Sequence, residues 1–134
     1  MKVRCIGARL TEGQRASLGF RAWEDPHWQL SPGKIYTVLG LTAKPDYMAG
    51  AVVQVNDDGD RCAFVPICLF EIVDGRPSQY WRARLLSEHG LALWPEAFYV
   101  DEYFHEHLSD GERAAVEAFN KVLVALEREG DLGA

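Results

Sequence analysis

The densest grouping of side chains able to do chemistry is His105-Glu106-His107, with Asp101 four residues before His105. On a helix Asp101 and His105 share a face while His105 and His107 do not, and on a strand all three would project to one side. A metal centre needs three or four converging ligands, and the His-Glu-x-x-His spacing of zinc proteases is missing. The two histidines therefore read as surface or packing residues, and neither a metal nor a cofactor is expected. The thiols Cys5, Cys62 and Cys68 fall in or beside apolar segments, where a cysteine behaves as a small buried hydrophobe. Ser78 lacks the flanking glycines of a nucleophile elbow, and no glycine-rich phosphate loop is present. Asp57, Asp58 and Asp60 crowd together, but they surround Gly59 in a turn and read as a solvated hairpin tip, without the fuller ligand set of a calcium loop. No catalytic set converges, so the chain is not expected to be an enzyme.

Binding chemistry is better represented. The 134 residues carry a formal net charge of −6. Residues 1–50 hold seven basic against four acidic side chains, residues 51–100 four against seven, and residues 101–134 three against nine. Such an acidic end repels a phosphate backbone and attracts a basic protein. Tyr80, Trp81, Trp94, Phe98, Tyr99, Tyr103 and Phe104 gather around the start of this acidic third. Most would form a core joining two halves of the molecule, but aromatics beside carboxylates also make protein interfaces. The expected contact surface is Asp101, Glu102 and Glu106, with Tyr99 or Tyr103 as its aromatic anchor. A second possibility is a small molecule or peptide seated against Trp81 or Trp94.

The elements that must position these groups follow from periodicity and turn chemistry. Lys2–Gly7 reads as a strand, and Thr11-Glu12-Gly13-Gln14 as a capping box opening a short helix through Leu18. The segment with Trp23 and Trp28 reads as a loop packed on the core, since exposed indoles are costly. Ser31-Pro32-Gly33 is a turn, followed by one strand over Lys34–Leu41. Pro45-Asp46 marks a loop. Ala51–Val55 and Arg61–Val65 pair through Asp58-Gly59. Leu69–Val73 and Gln79–Leu85 complete about six strands. Pro95 then opens helical structure. Ser109-Asp110-Gly111-Glu112 is a second capping box. Val116, Phe119, Val122, Leu123 and Leu126 stripe one helical face, and Gly130 caps its end.

The run Ser-Pro-Gly-Lys-Ile-Tyr-Thr-Val-Leu-Gly-Leu (31–41), the turn Val-Asn-Asp-Asp-Gly-Asp (55–60) and Leu-Phe-Glu-Ile-Val-Asp (69–74) resemble a pattern in small bacterial and phage proteins. Those proteins read Gly-Lys-x-Tyr-x-Val, an Asp-x-Gly turn, a proline and Leu-Phe-Glu. The resemblance covers residues 1–75 and implies an SH3-like barrel. The longer run through Gly75-Arg76-Pro77-Ser78-Gln79-Tyr80-Trp81 is similar to a subset of bacterial proteins with an added helical tail, and some small proteins of that general kind look like immunity proteins, which bind and block a toxin. The resemblance brings no catalytic residues with it.

The expected architecture is α+β: a small SH3-like antiparallel β-barrel over residues 1–86, followed by two C-terminal helices within 95–129 packed on it, all in one domain. The expected role is a non-catalytic protein-binding module, an immunity protein or a ligand-binding barrel. It would be cytoplasmic, with reduced thiols, no secretory leader, no membrane span and no nucleic-acid partner.

Overall fold

A computed structural model describes residues 1–44 and 50–132. The fold is α+β, with two antiparallel sheets and a C-terminal helix. The Pro45-Asp46 loop lies outside the described residues. The first sheet has the order β2-β1-β6, from β1 (Lys2–Cys5), β2 (Ile35–Thr37) and β6 (Phe70–Asp74). The second has the order β5-β4-β3-β8-β7, from β3 (Gly40–Lys44), β4 (Gly50–Asn56), β5 (Cys62–Pro66), β7 (Trp81–Leu85) and β8 (Leu91–Pro95). The helices are α1 (Glu12–Ser17), α2 (Phe104–Ser109) and α3 (Arg113–Leu132).

The single strand expected over Lys34–Leu41 is two. Val38 N–H donates to Met1 C=O at 3.0 Å, extending the first sheet, and Leu39 N–H donates to Gln54 C=O at 2.8 Å, entering the second. The chain crosses between sheets within these two residues. Val38 is buried in one apolar cluster and Leu39 in the other. Among the described residues no ladder joins the two sheets, so no closed barrel is found. The sheets instead face each other, with Val3, Cys5, Tyr36 and Phe70 of the first meeting Val53, Val55 and Val65 of the second.

The other face of the five-stranded sheet is covered by the helical part. Leu39, Phe98, Phe104, Ala115, Phe119, Val122 and Leu126 form the second cluster, with Trp94, Leu108 and Leu123 packed on it. Coverage on both faces explains why β4 is almost continuously apolar rather than alternating. The α3 stripe is as its periodicity predicts, with Ala115 buried and Val116 only partly so. Four readings differ. Leu91–Pro95, where the sequence predicts no strand and only Pro95 as a helix opener, is a strand pairing with both β3 and β7. Pro95 precedes a single 3₁₀ turn, Glu96–Phe98. Ser109 closes α2 instead of capping α3: Gly111 turns the chain at φ 74° and Glu112 C=O accepts from Val116 N–H, so the next helix starts beyond Ser109's reach. Gly130 lies within α3, where it passes close to the Lys2 side chain.

The Thr11 capping box forms with both of its reciprocal bonds, Gln14 N–H to Thr11 Oγ1 (3.1 Å) and Thr11 N–H to Gln14 Oε1 (2.9 Å). Trp28 packs as expected, its Nε1–H donating to Phe64 C=O at 2.9 Å. Trp23 does not: it is 76% exposed, with the Arg21 guanidinium 5.3 Å from its ring, a cation–π contact that shields one face only. The hairpin between β4 and β5 has its positive φ at Asp60, not at Gly59. Asp58 is no freely solvated tip, because it accepts from Ser31 Oγ, Lys34 Nζ and the Tyr36 hydroxyl.

Candidate protein-binding site

After β8, the 3₁₀ turn buries Phe98 and the chain reverses through residues 99–103 into α2. Asp101 sets this reversal. Its Oδ1 accepts from Tyr103 N–H at 2.9 Å, an Asx turn, and its Oδ2 accepts from His107 Nδ1. The Tyr103 amide, and then the His107 contact, hold the Asp101 carboxyl below its usual range. The same Asp101 hydrogen bond raises the His107 pKa, with Glu112 adding a second carboxylate 3.3 Å from Nδ1. Each of these carboxylates is shared with one imidazole, and His107 staples the start of α2 to the start of α3.

Beside this staple lies a hollow of about 270 Å³. Its apolar lining is Ala97, Phe104 and the α3 alanines 114, 115 and 118, and its polar side is Asp101, His107 and Glu112. Small side chains make the hollow, since alanine leaves the helix surface low where a leucine would fill it. Val100, also part of the lining, is 81% exposed, and Tyr103 nearby in sequence is 57% exposed.

The five residues singled out from the sequence are therefore placed unequally. Glu102 and Glu106 are exposed and make no ion pair or side-chain hydrogen bond among the described residues. Tyr103 is exposed. Asp101 is partly buried and bound to His107. Tyr99 is stacked on Trp94 with ring centroids 5.1 Å apart, its hydroxyl donating to Arg82 C=O at 2.7 Å and accepting from Trp94 N–H at 3.1 Å. The Arg84 guanidinium covers it at 4.4 Å. Tyr99 thus shapes the junction between β7, β8 and the turn. Val100 and the alanine-lined hollow were not apparent from the sequence, in which His107 beside His105 reads only as a surface or packing residue. The Asp-x-Tyr Asx pattern at 101–103 was the one local signal pointing toward them.

The two neighbouring histidines diverge. His105 turns inward, where Phe64, Trp94, Phe98 and Phe104 surround its ring with centroids 5.0–5.5 Å away. Its Nε2 lies 3.0 Å from Oε1 of the fully buried Gln54. Burial lowers the His105 pKa, so the neutral ring is the form this site favours. Cys62 Sγ–H also points at Gln54 Oε1, at 3.6 Å, and burial pushes that thiol up to about 12. A thiol held there supplies no thiolate at neutral pH, so the Cys62–Gln54–His105 grouping is not an activated nucleophile. Burial raises the Cys5 and Cys68 thiols as well. Of the tryptophans considered for a ligand, Trp81 is buried with its Nε1–H on Leu39 C=O at 3.0 Å. Trp94 instead lines a hollow of about 280 Å³ with Thr42, Phe64 and Leu86.

Compared with known proteins, the chain matches no family model, no curated protein and no solved structure. No helix among the described residues is long and apolar enough to cross a membrane.

Proposed function

We propose that this chain is a non-catalytic protein-binding module whose face around α2 receives a basic protein partner, in the manner of an immunity protein neutralising a toxin. The observation that carries the reading is the alanine-lined hollow between exposed Val100 and the Asp101–His107–Glu112 staple, with unpaired Glu102 and Glu106 close by in the chain. An apolar side chain of the partner would fill the hollow, and lysine or arginine beside it would meet the free carboxylates. Tyr103, with its ring exposed, is the better anchor, because Tyr99 is already engaged on both faces and at its hydroxyl. The SH3-like character of the first 75 residues and a cytoplasmic location belong to the same proposal. Two facing sheets with the Gly-Lys-x-Tyr-x-Val turn support the likeness. The test is capture of a stoichiometric partner at moderate salt, followed by titration of Glu102→Lys/Glu106→Lys. The double reversal is expected to weaken that partner about tenfold or more, chiefly through slower association. An unchanged affinity removes this surface from the function.

A second reading, a small apolar ligand, is favoured by Trp94 alone, whose ring borders the hollow with Phe64 and Leu86.

A further inference from the structure

The acidic third of the chain holds three basic residues, Arg113, Lys121 and Arg128. Arg113 is paired with Glu117 at 3.1 Å. The other two have no ion pair or hydrogen bond among the described residues, and both line one groove of about 600 Å³ between α3 and the Gln79–Tyr80 segment. They lie seven positions apart on α3, about 10.5 Å along its axis at the usual rise of 1.5 Å per residue. Val124 and Ala125 sit between them on the same helical face, and Tyr80 forms the opposite wall. Val124 is 49% and Tyr80 42% exposed, so the groove floor is apolar and open, with Lys121 toward one end and Arg128, beside Glu129, toward the other.

Among the described residues none of the nearby acids forms an ion pair with either cation: Glu117 is bound to Arg113 and Asp131 to Lys2, and Glu129, which lines the groove beside Arg128 and keeps its charge, turns its carboxylate to Gln79 N–H at 2.9 Å. That last bond, from backbone N–H to side-chain carboxylate, also ties the Gln79–Tyr80 wall to the end of α3, so the two walls are fixed to each other.

We propose that this groove docks an acidic amphipathic helix of another protein. A helix lying along α3 matches the spacing when carboxylates seven residues apart bracket apolar residues three and four positions after the first. A second copy of this chain is a poor occupant. Its one pair of acids seven apart, Asp110 and Glu117, brackets Arg113 and Ala114. Nucleic acid is also disfavoured, because the surrounding surface carries the acidic excess. The inference concerns a different face from the one around α2 and does not depend on it.

The test uses two labelled synthetic helical peptides with identical leucines in the middle, one with glutamates and one with lysines at the bracketing positions. Fluorescence anisotropy against the full chain should show binding of the glutamate peptide only, weakening at least tenfold between low and moderate salt. Lys121→Glu/Arg128→Glu should abolish that binding and admit the lysine peptide. Lys121→Gln/Arg128→Gln, gentler on folding, should weaken it at least fivefold. Glu102→Lys/Glu106→Lys should leave it intact, which separates this groove from the α2 face. Equal binding of both peptides, no binding of the glutamate peptide at low salt, or its displacement by a single-stranded oligonucleotide would each overturn the proposal.

Discussion

Asp58 accepts from Ser31 Oγ at 2.6 Å, Lys34 Nζ at 2.7 Å and the Tyr36 hydroxyl at 2.8 Å, while its own N–H donates to Gln29 C=O at 2.9 Å. One carboxylate thereby ties the Ser31–Lys34 turn to the hairpin between β4 and β5. The Lys34 ammonium first, and then the two hydroxyls, lower the Asp58 pKa to about 2. A carboxylate whose pKa is depressed on folding stabilises the fold above its unfolded value, near 4, and loses that contribution as pH falls toward its folded value. The stability difference between the wild type and Asp58→Asn should therefore be constant at neutral pH and shrink between about pH 4 and pH 2. Urea midpoints at pH 7, 4 and 2.5 measure it, and parallel curves across that range would mean that the carboxylate's charge is not what matters. From the sequence this residue read as solvated, because Ser31, Lys34 and Tyr36 are more than twenty positions away from it.

At the scale of elements, β3 is decided by what lies above it. Gly40 is its first residue, and a Cβ there would sit 2.9 Å from Trp94 Cδ1, 3.2 Å from Gln54 Nε2 and 3.3 Å from Leu93 C=O. The indole is held by its Nε1–H bond to Thr42 Oγ1 at 3.0 Å and by its stacking on Tyr99, Gln54 is fully buried, and the carbonyl belongs to a paired strand. Gly40→Ala is expected to destabilise by about 1–3 kcal/mol through overpacking, measured by chemical denaturation. A neutral or stabilising result would show that the Trp94 ring shifts freely. The glycine punctuates Leu39 and Leu41 in the sequence and looked like an ordinary strand residue. Only the arrival of β8, a strand absent from the periodicity reading because Leu-Ala-Leu-Trp precedes a proline and a helical stretch, turns it into a contact. In α2 six residues divide the two histidines between opposite environments, His105 into the aromatic cluster and His107 onto Asp101. Neighbours two apart on a helix cannot face the same way, so the sequence already excluded a shared ligand once the segment was read as helical.

For the molecule as a whole, the five-stranded sheet carries an apolar cluster on each face. Val53 and Val55 of β4 reach one, while Leu39, just before β3, and Trp94 of β8 reach the other. Neither cluster survives if the sheet opens. Unfolding in urea should accordingly be one transition, with tryptophan emission reporting the sheet and far-ultraviolet dichroism reporting α3 at the same midpoint. An earlier loss of helical signal would show that the α3 cluster is an accessory layer. The same arrangement leaves the α2 face and the outer groove of α3 on surfaces that the core does not consume, where carboxylates and cations are free to meet other chains.

The amino-acid sequence alone determined the composition of each layer. The stripe on α3, the Thr11 cap, the turn at Gly33 with its φ of 87°, and the acidic bias of the last third all follow from local spacing and residue type. Tertiary structure decided how those pieces meet: the crossing at Val38–Leu39 that leaves two facing sheets, the strand at Leu91–Pro95, the engagement of Tyr99 and the hollow beside Asp101. The reason is physical. Periodicity records which side of an element is apolar, but a hollow, a close approach or a shared carboxylate is a property of two elements far apart in the chain, and nothing in either one's local pattern encodes the other.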